Sequence, residues 1–154
     1  KGSSEEQQIK DVLTEYTQAL LDFTYFEENK LVDEEFPEST AKERLHHILG
    51  YLNKVHIIVS DIFGSDADMI DVLGVDIVEC LYWRKGALYY MYSHTVNQDK
   101  DRVKRNLQDF TQSLRDGVEF LTKMSNLRVP LSEQEQVDYN DECTLKLIQQ
   151  GRYD

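Results

Sequence analysis

The stretch Gly74–Val96, GVDIVECLYWRKGALYYMYSHTV, decides the fold expected for this chain. It contains the only Trp of the chain, Trp83, and four of the nine Tyr. Apolar residues cover most of its circumference when it is drawn as a helix, and such a helix is typical of the centre of a bundle. The expected core face is formed by Ile77, Val78, Cys80, Leu81, Leu88, Met91 and Tyr92.

A narrow arc of the same helix has a different composition. At about 100° per residue it holds Asp76, Glu79, Trp83, Gly86, Ala87, Tyr90 and His94. Trp83 and Tyr90 would border a shallow groove, and both residue types are enriched at binding hot spots. Two interpretations stay open: a partner binds Trp83, Tyr90, His94 and Glu79, or another helix of this chain covers the groove.

Two basic residues, Arg84 and Lys85, project among the expected core residues. An unpaired buried charge is costly, so each side chain needs an acidic partner or a route to solvent. The acid-rich segment Glu27–Glu35 is the obvious source of partners. We therefore expect it to fold over the aromatic helix and pair with Arg84 or Lys85 as a structural contact.

Two helices are predicted before the aromatic stretch. The first, Glu5–Asn29, has one apolar stripe at spacings of three and four, formed by Ile9, Val12, Leu13, Tyr16, Leu20 and Phe23. The second runs from a Ser39 cap to about Ile62. Gly64–Asp68 ends it, and a short helical turn is predicted over Asp68–Leu73.

The segment Tyr25–Pro37 is predicted to be a helix exit and connector, because Pro37 disfavours helical geometry at Phe36. It combines aromatic residues with acids, which can supply anchors and electrostatic register to a partner. The candidate partner-binding residues here are Tyr25, Phe26, Glu34, Glu35 and Phe36.

A long helix is predicted over Asp99–Leu127. Its heptad seam is formed by Val103, Leu107, Phe110, Leu114, Gly117, Leu121 and Met124. At Gly117 the missing side chain lets a neighbouring backbone come close, although a merely tolerated Gly costing about 1 kcal/mol is the alternative. Pro130 ends this region, and a connector, Ser132–Asn140, precedes a short helix with Leu145, Leu147 and Ile148.

These elements predict an all-α fold: an antiparallel bundle of four main helices plus a short C-terminal helix. The 154 residues fit a single helical domain, residues 1–154. The net charge of −12 argues against nucleic-acid binding and docking on anionic lipid. Two Cys without metal-type spacing, no apolar run of membrane-spanning length and no signal peptide favour a soluble intracellular protein.

Catalytic and metal motifs are missing from the sequence. Glu43 and His46 make one E-x-x-H, whereas a di-iron bundle needs two copies. Asp66 and Asp68 resemble the start of a calcium loop without its Gly and terminal Glu. The chain is therefore not expected to be an enzyme or to hold a cofactor or metal.

Three blocks of the sequence resemble one small eukaryotic family. They are Glu15–Pro37 (EYTQALLDFTYFEENKLVDEEFP), Gly74–Thr95 with ECLYWRKGALYYMYSHT, and more loosely the tail from Asp116 to Gly151. The family is that of the Rab-seven-interacting Mon–Ccz complex subunits. Its members continue beyond the point equivalent to Asp154, so the chain resembles an N-terminal portion.

The resemblance implies a non-catalytic adaptor subunit that associates with the Mon–Ccz guanine-nucleotide exchange factor and the late-endosomal Rab GTPase. It implies a cytosolic protein, recruited through partners to late endosomes or damaged mitochondria in autophagic (mitophagy) traffic. The exchange reaction itself belongs to the partners. Two alternatives from other classes are a bundle that binds a small apolar ligand or lipid and a metal-dependent enzyme.

Overall fold

The computed structural model describes residues 3–128, and this range contains six helices and no strand. The helices are α1 (Ser4–Asp33), α2 (Ala41–Phe63), α3 (Met69–Leu73), α4 (Val75–Gln98), α5 (Lys100–Arg105) and α6 (Leu107–Leu127). The prediction of an all-α bundle with four main helices is confirmed. The connector Ser132–Asn140 and the short helix predicted around Leu145–Ile148 lie outside the described residues.

The main core lies where α1, α2 and α4 meet, with α3 closing one end. Leu21 and Leu31 of α1, Leu45 and Leu52 of α2 and Leu88 of α4 are almost fully buried. The aromatic helix α4 is central, as its apolar circumference predicts, because it contacts every other helix in the described residues.

The first helix is longer than predicted. It continues through Asp33, so most of the predicted connector is helical. The helix ends where Glu35 and Phe36 take positive φ angles of 55° and 49°, and the Phe36 amide donates to the Leu31 carbonyl at 3.0 Å. The Phe36 ring is 1% exposed and packs edge-on against Tyr92 at 5.7 Å between ring centroids. Phe36 is therefore a core residue and offers no ring to a partner.

Glycines mark both ends of the short segment between α2 and α4. Gly64 ends α2 with φ 103° and ψ 158°, and Gly74 precedes α4 with φ 85° and ψ 154°. This region of backbone space is essentially restricted to Gly. Between them, Asp68 caps α3 by accepting from the Ile70 amide at 2.9 Å. The predicted helix break and short helical turn are both present.

The helix predicted over Asp99–Leu127 is divided at Asn106 into α5 and α6. The Asn106 side chain donates to Glu38 and to the Arg102 carbonyl, each at 3.1 Å. The predicted seam is wrong at two positions, because Leu107 and Leu114 are 59% and 43% exposed. The buried residues of α6 are Ser113 and Gly117, so the contact face is rotated from the predicted one.

Helix α6 lies antiparallel on α4, and two glycines form the closest approach. A Cβ added at Gly117 would lie 3.0 Å from the Tyr89 Cβ, and one at Gly86 would lie 2.7 Å from side-chain atoms of Leu121. Both glycines are buried. The contact of α4 with α6 therefore depends on two positions that have no side chain.

Candidate functional site

Trp83 lies on the outer surface of α4 and is 50% exposed. Beside it is an open cavity of about 360 Å³ lined by Asp76, Glu79, Cys80, Trp83, Met124 and Arg128. Arg128 Nε donates to Glu79 Oε1 at 2.9 Å, which joins the end of α6 to α4. The indole thus borders a hollow that has acids and one guanidinium at its rim.

Tyr90 and His94 continue this surface along α4. Tyr90 is 61% exposed, and its ring stacks on the His94 imidazole at 5.9 Å between centroids. The predicted groove between Trp83 and Tyr90 is incomplete, because Leu121 of α6 covers Gly86. What remains is a strip that we call the Trp83 face: the exposed Trp83, Tyr90 and His94 with the half-buried Glu79.

Arg84 ties α4 to α1. Its Nε donates to Glu28 Oε2 at 2.8 Å, and its Nη2 donates to the Leu21 carbonyl at 3.0 Å and to Thr24 Oγ1 at 3.3 Å. The guanidinium also lies 5.5 Å from the ring centroid of Tyr25. The expected pairing of Arg84 with the acid-rich segment is present, although Glu28 belongs to α1.

Burial raises the pKa of Glu28, and this outweighs the opposing effect of Arg84. The second carboxylate oxygen explains why: Glu28 Oε1 is buried and has no hydrogen-bond partner. The pair is therefore a buried structural contact with one unsatisfied acceptor.

The outer surface of α1 has an apolar stripe that core packing does not use. Its residues are Ile9, Val12, Tyr16, Phe23 and Phe26, with exposed fractions of 41%, 64%, 38%, 49% and 73%. With the exposed Ala19, their spacing is three, four, three, four, three, which is the seam of a coiled coil. We call this set the α1 stripe.

The apolar residues of the α1 stripe are visible in the sequence, but the sequence pattern does not separate them from the core face of α1. The single stripe predicted for α1 joined Leu13 and Leu20, which are buried, to Ile9, Val12, Tyr16 and Phe23, which are exposed. The core face of α1 is instead formed by Leu13, Thr17, Leu20, Leu21, Thr24, Glu28 and Leu31. Two adjacent apolar faces on one helix leave one of them largely exposed in the described residues.

Helix α2 extends the α1 stripe into a groove. Phe23 packs edge-on against Tyr51 at 5.2 Å, and Ile62, 49% exposed, lines an apolar cavity of about 440 Å³ with Ile9 and Val12. We call the α1 stripe with Tyr51 and Ile62 the α1–α2 groove. Its size and shape suit a partner helix that inserts apolar side chains every three or four residues.

Charged and polar side chains lie on both helices beside this groove. Glu15 and Asp22 follow the outer edge on α1, whereas His47 and Lys54 flank Tyr51 on α2. Lys54 Nζ lies 4.6 Å from the centroid of the Tyr51 ring.

The remaining predicted surface residues are placed near the end of α1. Tyr25 and Phe26 are 54% and 73% exposed, with ring centroids 6.2 Å apart. Glu34 pairs with Arg44 of α2, and Glu35 is exposed. Only Phe26 of these residues belongs to the α1 stripe.

Residues 3–128 contain neither a candidate membrane span nor a cluster of metal-binding side chains. No helix in this range combines the length and apolar character needed to cross a bilayer. Within the same range, His, Cys, Asp and Glu side chains form no group of three or more that could hold a metal ion.

The sequence matches a profile of the family described as RAB7A-interacting MON1-CCZ1 complex subunit 1, over residues 1–154. A protein of that name from Danio rerio is 36% identical over 151 residues, covering 98% of this chain and 54% of the relative. The Homo sapiens and Mus musculus proteins are each 38% identical over 141 residues, covering 92% of this chain and 48% of each relative. The chain spans about half the length of these relatives. No solved structure matches it.

Proposed function

Since the chain belongs to the family of RAB7A-interacting MON1-CCZ1 complex subunits, we propose that it is a non-catalytic adaptor that binds an exchange-factor complex of the MON1-CCZ1 type and a RAB7A-type GTPase. In this proposal it supports late-endosomal traffic and autophagy, including mitophagy. It is cytosolic and reaches late endosomes or damaged mitochondria through its partners.

The observation that supports this proposal best is the α1 stripe. Monomeric proteins rarely expose contiguous apolar patches of more than a few hundred Å². Five large apolar residues with heptad spacing cover about 17 residues of helix, or roughly 25 Å at 1.5 Å per residue. Such a surface has the length and periodicity of a helix-binding interface.

The Trp83 face is the second candidate surface. Trp83 and Tyr90 are two turns apart on the same side of α4, and each is at least half exposed. Aromatic side chains of this size often supply most of the binding energy at an interface. In the proposal the two surfaces contact different parts of the partner assembly.

The site chemistry favours protein partners over a lipid. The cavity of about 500 Å³ near the α1–α2 connection is lined by charged and polar residues, including Lys42, Arg102 and Asp109. The apolar cavity at Ile9 and Ile62 is an open surface hollow and does not enclose a ligand. Neither has the enclosed apolar lining of a typical lipid site.

The test is a binding titration with the purified MON1–CCZ1 complex and, separately, with RAB7A. The double variant Val12→Gln with Phe26→Gln disrupts the α1 stripe, and Trp83→Ala disrupts the second surface. A loss of at least about tenfold in affinity is expected for one partner with each variant. Val118→Gln is the matched control, because Val118 is 64% exposed on α6.

Unchanged thermal unfolding must accompany each loss, since all the substituted side chains are at least half exposed. If both variants bind both partners like the wild-type chain, the proposed surfaces are wrong. If the wild-type chain binds neither partner, the proposed function of this portion is wrong.

A further inference from the structure

A cavity of about 260 Å³ lies beside α4, between α2 and α6. Helices α2 and α6 both pack on α4, yet no Cα of α2 lies within 8 Å of one in α6. The gap between them is lined by residues of α2, α3, α4 and α6. It is separate from the Trp83 face and from the α1–α2 groove.

The cavity combines apolar walls with basic groups. Its apolar residues are Leu52, Ile57, Met69, Val78, Leu81, Tyr82 and Phe120. Its basic and polar groups are Lys85, Lys123, His56 and Asn53, and no Asp or Glu of residues 3–128 lines it. This is unusual in a chain with 29 acidic and 17 basic residues.

Lys85 is the buried cation of this cavity. It is 7% exposed, and within residues 3–128 it forms no ion pair with a carboxylate. Its Nζ instead lies 5.2 Å from the centroid of the Phe120 ring. A cation–π contact compensates only part of the cost of removing an ammonium from water.

The neighbouring lysine makes the environment more positive. Lys123 Nζ lies 5.6 Å from the same Phe120 ring and pairs with Glu119 at 2.8 Å. Burial, with the Lys123 charge as a smaller cause, lowers the pKa of Lys85 to about 8. An anion placed in the cavity would supply a counter-charge to Lys85 and so stabilise its protonated form.

We propose that the Lys85 cavity binds a carboxylate carried on a short apolar stem. Lys85 pairs with the carboxylate, and Phe120 and the aliphatic residues contact the stem. Asn53 and His56 offer further donors. The volume lies below the roughly 300–1,000 Å³ of sites for drug-sized ligands, so the ligand is a small acid or a single acidic side chain.

A carboxylate fits this lining better than a phosphate. Lys123 is already paired with Glu119, so the charge of Lys85 matches one negative charge, whereas a phosphate dianion recruits further charged donors or a guanidinium fork. The remaining wall is largely apolar and would leave phosphate oxygens unsatisfied. The inference does not rest on the proposed function, since none of these residues belongs to either proposed partner surface.

The test is NMR of the lysine side chains while butyrate is added, with butanol as the uncharged probe. Butyrate is expected to shift the Lys85 and Phe120 signals saturably and to raise the Lys85 pKa. Lys85→Met keeps an unbranched stem without the charge and should weaken butyrate binding at least about tenfold. Lys54→Met, which removes a cation–π lysine outside the cavity, should leave binding unchanged.

A second arm separates the two sources of the carboxylate. A peptide acetyl-Leu-Glu-Leu-amide is compared with its Gln counterpart. Tighter binding of the Glu peptide than of butyrate assigns the cavity to an acidic side chain of a polypeptide, and the reverse order assigns it to a free acid. The proposal is overturned if neither acid shifts Lys85, if butanol binds as well as butyrate, or if Lys85→Met binds them like the wild-type chain.

Discussion

Arg84 of α4 and Glu28 of α1 form a buried ion pair at 2.8 Å, and it is the main polar link between the aromatic helix and the first helix. Their side chains are 14% and 8% exposed. The carboxylate has one unsatisfied oxygen, whereas the guanidinium also donates to Leu21 and Thr24. In the pair each buried charge compensates the other. Substituting Arg84 and substituting Glu28 should therefore change the free energy of unfolding by different amounts.

The first prediction concerns this pair. Arg84→Ala leaves the Glu28 carboxylate buried without a counter-charge and is expected to cost about 3–5 kcal/mol of unfolding free energy. Arg84→Met combined with Glu28→Leu should restore most of the loss, because an apolar pair of similar size needs no compensation. Urea unfolding of the three proteins measures this. A loss below about 1 kcal/mol for Arg84→Ala would contradict it.

The second prediction concerns the stability cost of Lys85. Its pKa falls from 10.5 to about 8 in the folded chain, which at about 1.36 kcal/mol per unit corresponds to roughly 3 kcal/mol. Lys85→Met is therefore expected to stabilise the chain at neutral pH by about 1–3 kcal/mol. Thermal unfolding of the two proteins at one pH tests the sign.

The pH dependence gives a separate check on Lys85. Between pH 8 and 10.5 the unfolded chain holds the Lys85 proton more tightly than the folded chain does, so stability from this group rises with pH across that window. Lys85→Met should lack this rise. An equal rise in both proteins would show that other groups cause it.

The third prediction uses Glu38. Hydrogen bonds from Arg105, and then from Asn106, lower its pKa from 4.5 to about 2. The stability that this group contributes is present above pH 4.5 and is lost as the pH falls towards 2. Glu38→Gln should flatten acid unfolding in that range. Arg105→Gln should act in the same way, and the double variant should add little.

The fourth prediction compares two glycines inside helices. Ala at Gly86 places a Cβ 2.7 Å from Leu121 side-chain atoms and 3.2 Å from its backbone nitrogen, so overpacking should cost about 1–3 kcal/mol. Ala at Gly50 meets nothing within 4 Å and should stabilise α2 by about 0.5–1 kcal/mol. Opposite shifts in melting temperature are expected. Stabilisation by both substitutions would refute the close approach.

The sequence predicted the long helices because their apolar residues repeat every three or four positions. It did not predict which apolar face would be covered. On α1 the core residue Leu13 and the exposed residue Val12 adjoin, and on α6 the regular seam included Leu107 and Leu114, which face solvent. Periodicity shows which residues share a face, whereas burial depends on the neighbour that packs there.

The polar contacts, too, were only partly predictable from the sequence. An acid for Arg84 followed from the cost of an unpaired buried charge, and Glu28 supplies it. The expectation named Arg84 or Lys85, and Arg84 is the one that pairs, whereas the Lys85 ammonium lies 5.2 Å from the centroid of the Phe120 ring. The aromatic and acidic composition of Tyr25–Pro37 predicts a partner-binding role for Phe36, yet two positive φ angles turn its ring into the core.

Helix α6 packs mainly on α4, and an ion pair at the surface, Lys42 with Asp109 at 2.7 Å, joins it to α2. Local opening of α6 would therefore leave Leu52, Leu88 and the main core intact while exposing Tyr82 and Tyr89, which stack on Phe120. The same motion would bring the Lys85 ammonium into water. The stability of the glycine contact between α4 and α6 would thus determine how often α6 opens and exposes the aromatic surface of Tyr82 and Tyr89.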